Sequence, residues 1–266
     1  MSNDPLISIL LVSHNAEKFI LKTLSSCLSQ TYKNIELLVL DNASTDTTLE
    51  ILKKVKDPRL KIINSLVNIG PYKGLNLLLD QAAGDFIAIQ DHDDLWLPKK
   101  LSKQLSWLSE NPKAIGCGTQ TYYYYEDRQL AVLSSPPEKT QFVDHTSLIF
   151  RKPSLCYKIG HPIPDEAFEA DLQKYGELGC VQQPLTVHRL RADGYNLSIN
   201  RTQGNFRAAR AHWQLTKGRD FLGSLLFILG GLLPSKFIWW LRLHFTLKNS
   251  EWLTKEQFES KFGLSI

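Results

Sequence analysis

The stretch GDFIAIQDHDDLWLP, residues 84–98, decides the fold, because in it an apolar run of strand type ends at a cluster of polar residues. Residues 86–89 are apolar without a break, which is typical of a strand buried on both faces of a parallel sheet. Asp91, Asp93 and Asp94 follow almost at once. The stretch therefore predicts a buried strand that brings carboxylates to one edge of a sheet.

Carboxylates this close together repel one another, so they are costly at the end of a buried strand unless a cation neutralises them or they face water. Hard oxygen ligands favour Mg²⁺ or Mn²⁺, which keep coordination positions for water or substrate phosphate. The alternative is a solvated acidic turn in which Asp94 caps the next helix. On these residues alone, a divalent-metal site and an acidic turn both stay open.

The bulk composition is that of an ordinary globular protein of 266 residues, with 43% hydrophobic and 22% charged residues. This length suits one large α/β domain, or a core with a small appendage. The net charge of +4 is too small to indicate a nucleic-acid partner, but it favours an anionic substrate or an anionic membrane surface. We therefore expect no nucleic-acid binding.

Cysteine usage and the N-terminus both suggest a cytoplasmic protein. The cysteines have neither metal-ligand spacing nor the density of a disulfide framework, so we expect free, mostly packed thiols. They are Cys27, Cys117, Cys156 and Cys180. The apolar run at residues 6–12 follows no basic segment and is too short for a secretory signal, so we interpret it as a first strand.

Strand-type and helix-type segments alternate over residues 1–112, which predicts a mostly parallel sheet built from βαβ units. Polar residues follow three of these strands where the strands end. They are His14 and Asn15, Asp41 and Asn42, and Asp91 to Asp94. Open α/β sheets bind ligands at the carboxyl ends of their strands, so the convergence favours a binding site over an acidic turn. Asn15 is also a candidate N-cap of the first helix.

Over residues 113–215 the pattern changes to short β-rich pieces, followed by a short helix at residues 164–176. The run Tyr122 to Tyr125 is either a stacking surface for a sugar or base, or a set of half-buried sheet residues. We favour the second interpretation, because alternate tyrosines are common in strands. Acidic residues in the first turn of the helix suit its dipole.

Residues 216–266 differ again in composition. Two apolar runs within residues 221–245 are separated by a Pro-Ser-Lys break, and each is shorter than the ~20 residues of a membrane-spanning helix. A helical hairpin in the membrane interface fits the tryptophans and basic residues of these runs. A buried helix pair or an oligomer contact is the alternative. The charged tail at residues 248–266 carries no identifiable chemistry.

Four segments of the first half, in this order and spacing, resemble glycosyltransferase family 2. They are VSHN at 12–15, VLDNASTD at 39–46, NIG at 68–70 with Asn76, and GDFIAIQDHDD at 84–94. Residues 145–151, 159–160, 168–172, 184–189 and 196–198 resemble the family more loosely. The C-terminal apolar region lies outside the resemblance.

The resemblance implies an α/β protein of GT-A fold, with a Rossmann-like, mostly parallel sheet flanked by helices. The apolar runs after residue 216 add the expectation of a C-terminal helical, membrane-associated extension. The resemblance also implies an inverting transfer from a nucleotide-diphosphate sugar to a glycan or lipid-linked acceptor, assisted by Mg²⁺ or Mn²⁺. Residues 1–112 would then bind the nucleotide sugar, residues 113–215 would bind the acceptor and hold the catalytic base, and residues 216–266 would form the extension.

The family roles carry over to matching positions on the donor side. The resemblance implies that Asp41 binds the nucleotide base and that Ser13 and Glu17 line the same pocket. Asp91 and Asp93 are similar to the DxD pair of the family, with Asp93 the direct metal ligand and Asp91 a second contact nearer the ribose.

Three positions depart from the family pattern. The acidic motif reads Phe-Glu-Ala-Asp-Leu at 168–172, so the resemblance implies Glu169 as the base and Asp171 as the alternative. Leu75 replaces an arginine that often assists the diphosphate, which leaves Lys73 as the expected cation. Arg191 stands where a histidine is frequent, and it is expected to contact phosphate as a charge clamp.

The leading hypothesis is a cytoplasmic glycosyltransferase, peripheral on the inner membrane face, that extends a lipid-linked oligosaccharide or a polysaccharide precursor. The non-enzymatic alternative is a degenerate GT-A domain that binds nucleotide sugar or a partner without turnover.

Overall fold

The structure, a computed structural model, describes residues 4–191 and 251–266. Its strands are β1 (Ile7–Ser13), β2 (Ile35–Asn42), β3 (Leu60–Ser65), β4 (Phe86–Asp91), β5 (Leu95–Trp96), β6 (Ala114–Tyr125), β7 (Leu130–Ser134), β8 (Ile149–Arg151), β9 (Glu177–Leu190) and β10 (Trp252–Thr254). Its helices are α1 (Ile20–Leu28), α2 (Thr48–Lys54), α3 (Pro71–Gln81), α4 (Lys100–Glu110), α5 (Pro164–Leu172) and α6 (Lys255–Phe262), with a 3-10 turn at His145–Ser147.

The first half is a parallel sheet covered by helices on both faces. Strands β3, β2, β1 and β4 lie side by side in that order and pair in parallel. Alternate residues of β1 point to opposite faces, so Ile9 and Leu11 pack with Leu24 of α1, whereas Leu10 packs with Leu78 of α3. The predicted α/β fold is confirmed, because apolar strands without polar breaks need cover on both faces.

The strand register brings the predicted polar positions to one edge of the sheet. Ser13 at the end of β1 lies opposite Asp41 on β2, and Val12 lies opposite Asp91 on β4. Two carboxylates therefore flank the end of β1. Because β1 lies between β2 and β4, this edge is also the point where the strand order reverses, and open α/β sheets bind ligands there.

The second half pairs mainly antiparallel. Strand β6 pairs in parallel with β9 and antiparallel with β7 and β8, and β8 joins it to β4. Tyr122 and Tyr124 are buried in the core, which agrees with their interpretation as sheet residues. No strand pattern in the sequence indicates β9 directly, because Pro184 and two glutamines interrupt it. The pairing of β9 with β6 also shifts register near that point.

The C-terminal residues complete one edge of the sheet. Strand β10 pairs with β7, and α6 begins with a capping box in which Thr254 and Gln257 exchange side-chain to backbone hydrogen bonds. Phe258 of α6 is fully buried and packs edge-on against Tyr122, with ring centroids 5.3 Å apart. The tail therefore covers an edge strand that would otherwise expose its backbone groups.

We expect Phe258→Ala to lower the free energy of unfolding by about 3–5 kcal/mol, because it leaves a cavity in this aromatic cluster. Urea denaturation followed by tryptophan fluorescence measures the change. Ser260→Ala, on the exposed face of the same helix, is the matched control and should stay within about 0.5 kcal/mol of the parent. Equal stabilities of the two variants would show that the tail does not contribute to the fold.

Two predicted helix caps are wrong. Helix α1 begins at Ile20, and the Asn15 side chain instead accepts a hydrogen bond from the backbone N–H of Thr45 at 2.8 Å. Helix α4 begins at Lys100, six residues after Asp94. The side chain of Asp94 instead accepts a hydrogen bond from the backbone N–H of Arg189. In both places the side chain that local sequence predicts as a helix cap instead accepts a hydrogen bond from a residue distant in sequence.

The cysteines and the membrane prediction have different outcomes. All four cysteines are free; Cys27, Cys117 and Cys180 are buried, and Cys156 is exposed. Within residues 4–191 and 251–266, no helix has both the length and the apolarity to cross a bilayer. The predicted membrane contact through residues 221–245 lies outside the described residues.

Candidate active site

The loop after β4 is held in place by hydrogen bonds to its backbone. The Thr23 hydroxyl, on α1, donates to the carbonyls of His92 and Asp94 at 2.9 and 3.0 Å. The Gln90 amide donates to the same Asp94 carbonyl at 3.0 Å, and its oxygen accepts from the Thr146 hydroxyl. The aspartates of this loop therefore sit on a fixed backbone rather than on a flexible turn.

Asp91, Asp94 and His188 bring their ligand atoms within 4.8 Å of one another. His188 comes from β9, and its Nδ1 lies 3.3 Å from Oδ2 of Asp94 and 3.3 Å from Oδ1 of Asp144. Asp94 is almost fully buried. Tertiary structure thus surrounds one imidazole with carboxylates from two separate loops and one strand.

The electrostatics of this cluster indicate a shortage of positive charge. Burial, with a smaller contribution from the neighbouring Asp94, raises the pKa of Asp91 to about 7. Burial also raises the pKa of Asp94 to about 7, although His188 opposes that rise. Oδ2 of Asp94 and Oδ1 of Asp144 lie within ion-pair distance of His188, but neither oxygen has a hydrogen-bond partner among the described residues. A divalent cation would satisfy these groups, so the donor set of the loop fits a hard metal ion.

Asp93 lies on the more open side of the loop, beside two arginines from the end of β9. Its carboxylate is 3.9 Å from Nη1 of Arg191, and its carbonyl accepts from Nε of Arg189 at 3.1 Å. Both guanidinium groups lie about 5.0 Å from the ring centre of Phe19. Arg191 is therefore close enough to Asp93, the predicted metal ligand, for one phosphate group to contact both Arg191 and a metal ion bound by Asp93.

Asp41, the residue before the end of β2, is a fully buried carboxylate, and one of its oxygens has no hydrogen-bond partner among the described residues. Its Oδ2 accepts from the backbone N–H of Ser44 at 3.2 Å, whereas its Oδ1 is buried without a hydrogen-bond partner. Ser13 is also buried, and its hydroxyl donates to the Leu40 carbonyl at 3.2 Å. A ligand N–H donor would satisfy the second oxygen of Asp41.

Glu17 and Lys73 both lie at the surface. The Glu17 carboxylate accepts from the hydroxyl and the backbone N–H of Thr47, so it ties the entry of α1 to α2. Lys73 is exposed in the first turn of α3. The loop before α3 is fixed by Asn42, whose side chain bonds to Asn68 and to the N–H of Ile69.

The two predicted base candidates on α5 have different surroundings. Glu169 is 1% exposed, and its Oε2 accepts from the backbone N–H of Val143 at 3.0 Å. Burial raises the pKa of Glu169 well above its usual range, although that backbone donor opposes the rise. The Asp171 carboxylate pairs with Lys158 at 2.6 Å and Lys174 at 2.7 Å. Glu169 thus faces the protein interior, and Asp171 is held in ion pairs.

Asp165, in the first turn of α5, is a third carboxylate that sequence reasoning missed. Its side chain is 37% exposed, and its two oxygens contact different partners. Oδ1 lies 3.5 Å from Nε2 of His145, and Oδ2 accepts from the Tyr72 hydroxyl at 3.2 Å. The available signal was the position directly after Pro164, since proline and acidic residues together mark a helix N-terminus.

One short segment connects the α5 side of the site with the aspartate loop. Val143 donates its N–H to Glu169, Asp144 contacts His188, and His145 contacts Asp165. Asp91 and Asp165 both raise the pKa of Tyr72, in addition to the larger effect of burial. The carboxylates of the two sides therefore share one electrostatic environment at the same edge of the sheet.

The profile of the family described as Glycosyl transferase family 2 matches residues 8–167, more than half of the chain. An uncharacterized glycosyltransferase of Haemophilus influenzae is 36% identical over 247 residues, which cover 82% of this chain and 76% of that protein. The chain is also 37% identical, over 134 residues, to WfaP of Escherichia coli, a UDP-Glc:alpha-D-GlcNAc-diphosphoundecaprenol beta-1,3-glucosyltransferase. This match covers 50% of this chain and 53% of WfaP, so the chain spans about half of that relative.

Solved structures with the same fold are more distant in sequence. The Staphylococcus aureus protein TarS, in complex with UDP-GlcNAc, superposes with a TM-score of 0.61 at 18% identity over 85% of this chain and 79% of the TarS chain. The mannosyltransferase PcManGT of Pyrobaculum calidifontis, in complex with GDP-Man and Mn²⁺, also gives 0.61 at 18% identity, over 81% of this chain and 64% of its own. These likenesses identify the GT-A fold. With the family profile and the Haemophilus influenzae relative, they show that this chain belongs to glycosyl transferase family 2.

Proposed function

We propose that this protein transfers a sugar from a nucleotide-diphosphate donor to a lipid-linked or polysaccharide acceptor, with inversion at the anomeric carbon. The observation that carries the proposal is the pair of carboxylates, Asp41 and Asp91, that flank the end of β1 at the ligand-binding edge of the sheet. The unpartnered oxygen of Asp41 suits the N–H donor of a nucleotide base, and we assign Ser13, which lies opposite Asp41 in the sheet, and Glu17 to the same pocket.

Asp165 is the group that we assign as the general base. It is the most accessible of the three carboxylates compared on α5, and the first turn of a helix favours its charged form. In the reaction, the acceptor oxygen forms a bond to the anomeric carbon while its proton passes to Asp165. The bond from the anomeric carbon to the diphosphate breaks, and the diphosphate leaves with the electron pair. Glu169 and Asp171 remain the candidates that the sequence predicts.

A divalent ion, when bound, neutralises the charge that develops on the leaving diphosphate. We assign Asp93 and Asp91 as its ligands because Asp93 lies on the open side of the loop, where an ion can also reach phosphate. Arg191 and the exposed Lys73 are the cations assigned to the diphosphate. Asp94, buried and bonded to the backbone of Arg189, is better suited to holding the loop together.

We infer the acceptor class and the cellular location from relatives rather than from contacts within this chain. WfaP acts, by its name, on a sugar carried by diphosphoundecaprenol, and another relative is described as a teichuronic acid biosynthesis glycosyltransferase. An acceptor carried on a lipid places the enzyme at a membrane surface. We therefore propose a peripheral position on the cytoplasmic face of the membrane, with residues 221–245 as the contact.

Thermal unfolding with UDP-Glc, UDP-GlcNAc or GDP-Man, each with Mn²⁺, tests donor binding. A ligand at 100 times its Kd stabilises the folded state by about 2.7 kcal/mol, so we expect one donor to raise the unfolding temperature by several degrees. Release of free nucleotide in the same samples then tests turnover, because an activated site also transfers sugar to water. Stabilisation without nucleotide release, even with lipid-linked GlcNAc added, would instead favour a domain that binds nucleotide sugar without turnover.

A further inference from the structure

Each oxygen of the Asp165 carboxylate contacts a side chain from a different part of the fold, Oδ2 through a hydrogen bond and Oδ1 through a longer polar contact. Tyr72, from the first turn of α3, donates its hydroxyl to Oδ2 at 3.2 Å. His145, from the 3-10 turn before β8, places Nε2 at 3.5 Å from Oδ1. Because the two contacts fall on opposite oxygens, they restrict rotation of the carboxylate, and Oδ1, which is buried, still has no hydrogen-bond partner among the described residues.

His145 is itself fixed by a second layer of contacts. Its Nε2 lies 3.1 Å from the Tyr157 hydroxyl. The Asn76 side-chain amide binds the backbone of Tyr157 through two hydrogen bonds. Its oxygen accepts from the Tyr157 N–H at 2.7 Å, and its nitrogen donates to the Tyr157 carbonyl at 3.0 Å. The Tyr157 ring stacks on Phe168 of α5, with ring centroids 4.1 Å apart. The imidazole is therefore held by a rigid, buried support rather than by solvent.

This support explains two motif residues, Asn76 and Phe168, to which sequence analysis assigned no role. Asn76 belongs to the segment that resembles the family, yet it contacts no carboxylate of the site; it positions Tyr157. Phe168 stands where the acidic motif of the family has a glutamate, and here it packs against Tyr157. The altered motif thus supplies an aromatic surface under the ring that holds His145.

We propose that His145 and Tyr72 are positioning residues for the transfer reaction, which fix the orientation of Asp165 as it takes the proton of the acceptor hydroxyl. This inference rests on the proposed function and adds two residues to it. A base must lie within hydrogen-bond reach of the proton that it removes, and a misplacement of about 1 Å can cost roughly 100-fold in rate. By holding the Asp165 carboxylate in one rotamer, the two contacts prevent such a misplacement.

The test compares His145→Ala, His145→Gln and Tyr72→Phe with the parent, using Mn²⁺ and the donor that gives the largest thermal stabilisation. We expect His145→Ala to lower kcat roughly 10- to 100-fold without changing the Kd of the donor. His145→Gln should recover much of the loss, because its amide nitrogen can occupy the position of Nε2. Tyr72→Phe should lower kcat less. Tyr175→Phe removes a hydroxyl that bonds to the Ser154 carbonyl, and this control should leave kcat unchanged.

A double-variant comparison separates positioning from a general effect on folding. In the Asp165→Asn background, adding His145→Ala should cause little further loss of kcat, because the group that it orients is already absent. Additive losses in the double variant, or full activity of His145→Ala, would overturn the inference while leaving the proposed function intact. A parent protein that releases no nucleotide from any donor would overturn the proposed function, and this inference with it.

Discussion

Asp165→Asn is expected to reduce sugar transfer by roughly 10²- to 10⁴-fold while leaving donor binding unchanged, because the variant keeps the shape of the side chain and loses its ability to accept a proton. The expectation follows from the exposure of Asp165 and from its contacts with His145 and Tyr72. Initial rates of nucleotide release, with and without a lipid-linked acceptor, measure the loss. The Kd of the donor, measured by titration calorimetry, checks that binding survives.

Glu169→Gln and Asp171→Asn are the matched controls on the same helix. Glu169→Gln keeps an oxygen for the N–H of Val143, so its activity should stay within a few-fold of the parent. Asp171→Asn removes the charge that pairs with Lys158 and Lys174, and it should lower stability modestly without affecting kcat. If Glu169→Gln abolished transfer and Asp165→Asn did not, the base would be the residue that the sequence predicts.

Asp93→Asn is expected to lower kcat/KM by roughly 100-fold or more and to remove the dependence of activity on Mn²⁺, because neutralisation of the leaving diphosphate is worth several kcal/mol. Chelation of metal ions should reduce the parent enzyme to a similar rate, and added Mn²⁺ should restore the parent alone. Titration of activity with Mn²⁺ at a fixed donor concentration measures both effects. Asp91→Asn should behave in the same way, since Asp91 belongs to both possible ligand sets.

Asp94→Asn distinguishes the open site from the buried cluster. Asparagine keeps an oxygen for the backbone N–H of Arg189, and burial already disfavours the charged carboxylate, so the substitution should change the free energy of unfolding by no more than about 1 kcal/mol. Its activity should still depend on Mn²⁺. If Asp94→Asn lost metal dependence and Asp93→Asn retained it, the ion would bind at Asp91, Asp94 and His188 instead.

Local sequence was a sufficient guide wherever side chains act through their own strand. The apolar runs of β1, β2 and β4 identify buried parallel strands, and the polar residues that follow them are predicted to meet at one edge of the sheet. The register confirms this, with Ser13 opposite Asp41 and Val12 opposite Asp91. These features are predictable because strand direction alone places the ends of parallel neighbours together.

Local sequence was a poor guide wherever a side chain has a distant partner. Asn15 and Asp94 look like helix caps, but Thr45 and Arg189 bind them from elsewhere in the fold. The charged tail looks inert, although its Phe258 lies in the core, because no local pattern shows that β10 will pair with β7. Long-range pairing decides these positions, and a single sequence contains no direct record of it.

The sequence by itself determined the family, the parallel half-sheet and the aspartates of the loop, because these depend on residue order and strand polarity. Only the tertiary structure decided the burial and the partners of the acidic residues of α5. The Glu169 side chain is buried, and two lysines form ion pairs with Asp171. Asp165 contacts His145 and Tyr72. The physical reason is that the accessibility and partners of a carboxylate depend on elements that are far apart in sequence and meet only in the folded chain.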